Sequence, residues 1–303
     1  MTNLRIGIIG GSGLGDALGI KTSGGGTTTS GGDLTTPFGK PSAPLLTTQW
    51  HGVDLVICQR HGIGHVFNPS QVPYRANIYA LKSLGVTHII ASGAVGSLRE
   101  NIHPGELAVA DQVIDKTYKR DNTFFDHAAV HTEFAEPFCP VMRQWLLAAA
   151  GRMSASGGGV HVHDHATYVC MEGPQFSTKA ESNMHRAWGG DLIGMTVMPE
   201  AKLAREAEIA YALIALPTDY DCWKPHTPGQ SQQQLLSEII GNLNMATDRA
   251  ITLMRTALED VSMLRDQPSP AHDALKLAIW SDKKKIDPAE INRLKVLWGA
   301  YFD

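Results

Sequence analysis

The stretch from Ile209 to Trp223, IAYALIALPTDYDCW, sets the fold. Ile209 to Leu216 carry no charge and read as a strand buried on both faces. In open α/β sheets, ligands bind at the carboxyl ends of the strands. Asp219 and Asp221 fall at that place. Two close acids can share a proton, because neighbouring like charges do not both ionise cheaply. The protonated acid donates a hydrogen bond and the charged one accepts. That pairing suits a ligand with an acceptor ring nitrogen beside an amino group, as in adenine N7 and N6. The plain alternative is a solvated turn with two surface acids.

Outward from this run, short apolar segments alternate with helical periods, the pattern of a mostly parallel α/β sheet. Strands are expected over Ile6 to Ile9, Val53 to Cys58, His88 to Ala91, Leu107 to Ile114 and Ala166 to Cys170. Helices are expected over Pro73 to Leu84, Pro140 to Arg152, Ser177 to Trp188 and Ser231 to Asp260, the last capped by Ser231. Thr22 to Asp33 is rich in Gly, Ser and Thr and reads as a surface loop, and Gly157 to Gly159 as a turn. After a proline-containing linker, Gln267 to Pro270, comes the basic run Lys283 to Lys285. Asp287 to Glu290 then reads as a capping-box start. Ile291, Leu294, Leu297, Trp298 and Tyr301 give the tail helix an apolar face to bury on its own body or on a neighbour. The division is a catalytic domain over residues 1–262 and a helical extension over 263–303.

The chain has 303 residues, 43% of them apolar, and a formal net charge of -4. The acidic balance argues against a general nucleic-acid or anionic-membrane surface. Cys58, Cys139, Cys170 and Cys222 form no CxxC pair and read as small buried residues of a reducing compartment. No leader-like start and no ~18-residue apolar window is present. A soluble cytoplasmic protein is the expectation.

Glycine-rich or basic turns follow other strands. Gly10 to Gly15 after the first can present amides and the Ser12 hydroxyl to a phosphate. Arg60-His61-Gly62 adds a bidentate anion ligand. Ser92 to Ser97 and Gly194-Met195-Thr196 add two more turns. Each alone is an ordinary turn; together they point to a phosphate or sugar site. His161, His163 and His165 alternate as a polar strand face, and no HExxH spacing occurs.

These segments carry a resemblance. GIIGGSGL, TPFGKPS, RHG with His65, NPSQVPYRANIYALKSLG, GAVGSLRE, PGELAVADQVID, AEPFCP, EGPQFSTKAES, MTVMPEA and TDYDCW occur in this order between about Leu4 and Asp260. They resemble the trimeric-type purine nucleoside phosphorylases, and within them the S-methyl-5'-thioadenosine phosphorylases most. The resemblance implies a single-domain α/β fold with a twisted mixed sheet flanked by helices, assembled as a homotrimer. It implies phosphorolysis: phosphate attacks C1' of the nucleoside, and the free purine leaves beside a ribose 1-phosphate. It assigns Ser12, Arg60, His61, Gly93, Ala94 and Thr196 to phosphate, with Gly93 standing where relatives often have threonine. It matches Met195 to the position that contacts the ribose and lies beneath the base, and Phe176 to the residue that stacks on the purine. A protonated Asp219 meets N7, with Asp221 at the N7/N6 edge. His131 comes from a neighbouring subunit towards the 5' substituent, and Leu235 lines that pocket near Gln232. Ala278, Ile279 and Trp280 stand where the family closes a neighbouring site.

No cofactor or metal is implied; inorganic phosphate is a co-substrate. Ser177, in place of a carboxylate used for 6-oxopurines, and Asp219, in place of asparagine, favour a 6-aminopurine. Three alternatives stay open: a phosphorylase acting on adenosine, inosine, guanosine or methylthioinosine, a dinucleotide-binding oxidoreductase, and a non-enzymatic nucleoside sensor. The oxidoreductase needs an acidic ribose ligand ~20 residues past the first turn. Only Asp33 is near, with no strand before it.

Overall fold

The computed structural model describes residues 4–11, 34–155, 160–225 and 228–302. The readings placed on Ser12, on Thr22 to Asp33 and on Gly157 to Gly159 lie outside those residues. Strands β1 (Arg5–Gly10), β2 (Leu46–Trp50) and β3 (Val53–Gln59) precede helix α1 (Tyr74–Ser83). Strands β4 (His88–Ser97), β5 (Leu107–Val109) and β6 (Gln112–Lys116) precede α2 (Pro140–Ala155). Then come β7 (Val162–His163), β8 (Thr167–Met171), α3 (Lys179–Ala187), β9 (Leu192–Gly194), α4 (Val197–Glu206) and β10 (Ala210–Asp219). The long α5 (Gln232–Leu258), α6 (Ser262–Asp266), α7 (Pro288–Arg293) and α8 (Lys295–Trp298) close the chain.

Among the described residues the strands join into one ten-stranded mixed sheet, ordered β2-β3-β1-β4-β10-β5-β7, with β9, β8 and β6 branching from β4. Its centre is parallel: β1 pairs with β3 and β4, and β4 with β10. Central parallel strands are covered on both faces, which is why Ile209 to Leu216 is a continuous apolar run. Alternate residues feed two cores. Ile6, Ile8, Ala212 and Ile214 pack with Trp145 of α2 and Leu253 of α5; Ile9, Leu213 and Ala215 pack with Ile78 of α1 and Leu203 of α4.

The expected strand Leu107–Ile114 is two strands. β5 lies antiparallel to β10, whereas β6 lies parallel to β8 on the branch. The chain changes partner at Ala110 and Asp111, and an apolar count cannot see that break. The polar edge strand β2 and the helix α4 are further elements that period counting missed. Ser231 caps α5 as expected, with Gln234 completing the box. At Asp287 the cap is one-sided: its carboxylate accepts from the Ala289 amide, while Glu290 pairs with Arg293. The tail face turns inward, with Leu294, Leu297 and Trp298 buried and the Trp298 ring 4.7 Å from Phe125. Burying each such side chain contributes roughly 1.5–3 kcal/mol.

Candidate active site

β10 carries its apolar run to Asp219, whose backbone stands beside Gly96 of β4. The Asn242 amide of α5 donates to the Thr218 carbonyl at 2.9 Å and fixes the strand end. Both Asp219 oxygens accept hydrogen bonds: the Thr218 hydroxyl at 2.6 Å and the Asp221 backbone N–H at 2.7 Å. Asp221 takes a left-handed backbone, φ 49°, which folds the turn back over the strand. Burial raises its carboxyl above the usual range; the Ser182 hydroxyl opposes this and the charge of Asp219 adds to it. A Cβ on Gly96 would come within 3.1 Å of the Asp221 Cβ and 3.3 Å of an Asp219 oxygen, so the acids rest against a residue that must be small. The Cys222 thiol then reaches the Ser177 carbonyl at 3.2 Å, and the Trp223 indole the Ser97 carbonyl at 2.8 Å.

Arg60 follows β3 and is tied to β1 by its amide on the Gly10 carbonyl. Its side chain is 1% exposed. Nε and Nη2 meet the two Glu200 oxygens at 2.7 and 2.8 Å, and Nη1 donates to the Ser92 carbonyl at 2.9 Å. The Tyr211 hydroxyl also donates to Glu200, at 2.8 Å. Burial alone would lower the Arg60 pKa, but the Glu200 carboxylate beside it raises it on balance. A guanidinium has five N–H donors, so two are left by these bonds. His61 faces the Phe67 carbonyl with Nδ1 at 2.8 Å, and its ring stacks on His65 at 4.2 Å. A carbonyl only accepts, so Nδ1 holds the hydrogen and Nε2 keeps a lone pair. Burial drives the His61 pKa down to about 4, leaving it neutral at pH 7. Thr196 lies against Gly93, where a Cβ would sit 3.4 Å from its hydroxyl. Ala94 is exposed beside Gly93 on β4.

The loop after β8 meets the turn after β10 through the Cys222–Ser177 contact. Gly173, at φ 68°, leaves room for Met195: a Cβ there would stand 2.5 Å from its sulfur. Phe176 projects from the same loop at 85% exposure, and Ser177 is half-buried next to it. Between this loop and the Met195–Thr196 strap that opens α4 lies Arg120, 1% exposed on its side chain. It donates to the Met195 carbonyl at 2.6 Å, to the Met198 carbonyl, and to both the carbonyl and the carboxylate of Glu172. Glu172 also accepts from Ser70 and from the Tyr118 and Lys119 amides. Burial opposes its ionisation, yet these bonds hold its pKa down to about 2.

The structure therefore gathers Asp219, Asp221, Ser177 and Gly96 on one side, and links Thr196 with Gly93 and Met195 with the Phe176 loop. Ser12 lies outside the described residues. His131 keeps other company: its amide bonds the Ala278 carbonyl and its ring lies 4.6 Å from Trp280, in the C-terminal tail. Leu235 is half-buried on the first turns of α5, and Gln232 is exposed. Arg120, Glu172 and Glu200 were missed from sequence. Glu172 alone gave a signal, a single charge in the motif Met171-Glu172-Gly173-Pro174 that asks for a buried partner; Arg120 lies in the charged run Lys119-Arg120-Asp121 and Glu200 has no nearby partner in sequence. His163 and His165 each face a carboxylate, Glu106 at 2.7 Å and Asp111 at 2.9 Å. A separate cavity of about 590 Å³, between Lys284, Ile291, Lys295 and Phe302 of the tail, contains none of these groups.

A mixed sheet with an acid pair at the end of β10 and an arginine–histidine turn at the end of β3, on the same edge of its parallel centre, defines a nucleoside-phosphorylase architecture. The chain belongs to the phosphorylase superfamily, whose model matches residues 5–259. It is 44% identical over 305 residues to the S-methyl-5'-thioadenosine phosphorylase of Synechocystis sp., covering 100% of this chain and 89% of that one. A methylthioadenosine phosphorylase from an antarctic soil metagenomic library superposes with a TM-score of 0.84 at 41% identity, covering 98% of this chain and 99% of the other. The methylthioadenosine phosphorylase of Schistosoma mansoni in complex with adenine gives 0.75 at 37% identity, over 88% and 93% of the two chains. Among the described residues, no helix is long and apolar enough to cross a membrane.

Proposed function

We propose that this protein catalyses the phosphorolysis of S-methyl-5'-thioadenosine, releasing adenine and 5-methylthioribose 1-phosphate. The observation that carries this reading is the Asp219–Asp221 pair, ordered by Thr218 and seated on Gly96 at the end of β10. A phosphate oxygen bonds to C1' as the C1'–N9 bond breaks and its electrons pass to the purine. Negative charge then grows on the base. A protonated Asp219 donates to N7, a bond that strengthens in the transition state. The other carboxylate accepts from the N6 amino group, and Ser177 serves N1. Phe176 and Met195 cover the faces of the base and ribose.

On the phosphate side, Ser12, Gly93, Ala94 and Thr196 supply hydroxyl and amide contacts, and Arg60 offers the donors left by Glu200. Neutral His61 presents Nε2 as an acceptor for a P–OH group. Positioning does much of the work, since phosphate brings its own charge to an oxocarbenium-like sugar. The chemistry needs no metal or cofactor. Leu235 contributes an apolar 5' pocket. The active form is a homotrimer in which His131 of one subunit serves the next site. The exposed Leu236, Ile240, Leu277 and Trp280 support such an interface.

The test is adenine release from methylthioadenosine with and without phosphate, with adenosine and inosine as competitors. Phosphate-dependent release favouring methylthioadenosine is expected. Preference for inosine would overturn the base-edge assignment, and release without phosphate would overturn phosphorolysis itself.

A further inference from the structure

Arg120 belongs to none of the substrate-facing turns, yet its guanidinium holds two of them. The strap Met195–Thr196, which opens α4, hangs from it through the Met195 and Met198 carbonyls. The base loop hangs from it through Glu172, the last residue before Gly173. Glu172 extends the connection: it accepts from Ser70, three residues beyond Phe67, and the Phe67 carbonyl receives the His61 ring N–H. Two hydrogen-bonded segments, His61 to Phe67 and Ser70 through Glu172 and Arg120 to Met195, are thus joined by the three-residue backbone step from Phe67 to Ser70. Together they join the phosphate side to the base side. Coupling between sites is carried by such packed polar chains when they bridge elements with two arrangements. Phe176 stands 85% exposed on the loop that Glu172 roots, the element whose position this linkage would set.

Resting on the phosphorylase reading, we propose that Arg120 and Glu172 are positioning residues that couple the two substrates. Phosphate seated against His61 and Thr196 settles the Phe176 loop for the purine, and a stacked purine tightens phosphate in return. Reciprocity is required of any such linkage. The purpose is ordered use of the site: nucleoside is held best when the nucleophile is present.

The experiment titrates adenine into the full-length protein calorimetrically, at zero and at saturating inorganic phosphate. Adenine with phosphate alone does not react, so both affinities are equilibrium values. The native protein is expected to bind adenine at least ~5-fold more tightly with phosphate, the lower end of usual coupling. In Arg120→Lys, which keeps the charge but loses the fork, the ratio falls towards one while affinity without phosphate changes less than about threefold. A merely structural Arg120 would weaken both affinities and leave the ratio intact, which overturns the proposal. Should Arg120→Lys not fold, Ser70→Ala breaks one link of the same chain and must lower the ratio; an unchanged ratio overturns the proposal equally. A native ratio of one also sinks it, while adenine binding and phosphate-dependent release leave the phosphorylase reading standing. Failure to bind adenine at all defeats both.

Discussion

Asp219 and Asp221 differ by their surroundings more than by their position. Asp219 accepts from Thr218 and from the backbone of Asp221, while burial holds the Asp221 carboxyl above its ordinary range. Asp219→Ala removes the acid and the anchor of the turn together. Its kcat should fall by about 100-fold or more, the usual worth of a transition-state hydrogen bond, with phosphate KM changed less than about threefold. Initial rates over a phosphate series decide this; a near-normal kcat removes Asp219 from the chemistry. These two acids were legible because an uncharged run points straight at them. Phe176, Met195 and His131 enter the reading only through resemblance, since an exposed aromatic, a methionine and a loop histidine have no pattern of their own. Glu200 was illegible: its partner Arg60 lies 140 positions away, and only the folded sheet brings them together.

At the scale of elements, the site is made where a parallel strand end, a loop and a strap converge, and glycines set the clearances. Gly173 does so twice, by its φ of 68° and by the space it leaves for the Met195 sulfur. Alanine there adds backbone strain of order 1–3 kcal/mol and pushes a flexible methionine off the nucleoside side. Gly173→Ala should therefore raise the KM for methylthioadenosine about tenfold or more while phosphate KM moves little. Gly173→Ala with Met195→Ala should recover part of the stability and none of the nucleoside affinity. Thermal melts beside two-substrate kinetics check both; restored affinity in the double variant would refute the clearance role. The elements that sequence periodicity missed share a physical cause. β2 is a polar edge, and the break between β5 and β6 sits inside an unbroken apolar count.

Across the whole molecule, buried titratable groups set how stability follows pH. His88 is buried between β1 and β10, its Nδ1 on the Thr87 hydroxyl, its Nε2 without a partner, and its ring edge-on to His272 at 5.0 Å. Burial drives its pKa down to about 3, and His272, itself near Lys82, Glu208 and Asp273, adds to the shift. His61 is lowered to about 4. Unfolded histidine titrates near 6.5, so these groups contribute stability that is complete above 6.5 and lost as pH falls towards their folded values. Glu206 works in the opposite sense: burial raises its pKa to about 7, so its contribution is complete below 4.5 and lost as pH rises through 7. Two imidazoles outweigh one carboxyl on the acid side. Between pH 6.5 and 5, His88 alone should cost about 2 kcal/mol, or about 3 °C in Tm for a chain of this size. His88→Phe keeps the ring shape and should flatten that limb with little change at pH 7.5. Glu206→Gln should raise Tm at pH 8 and leave it unchanged at pH 4.5. Calorimetric melts of the three proteins from pH 4.5 to 8 test the balance, and an acid limb that persists in His88→Phe would move its origin away from this buried imidazole.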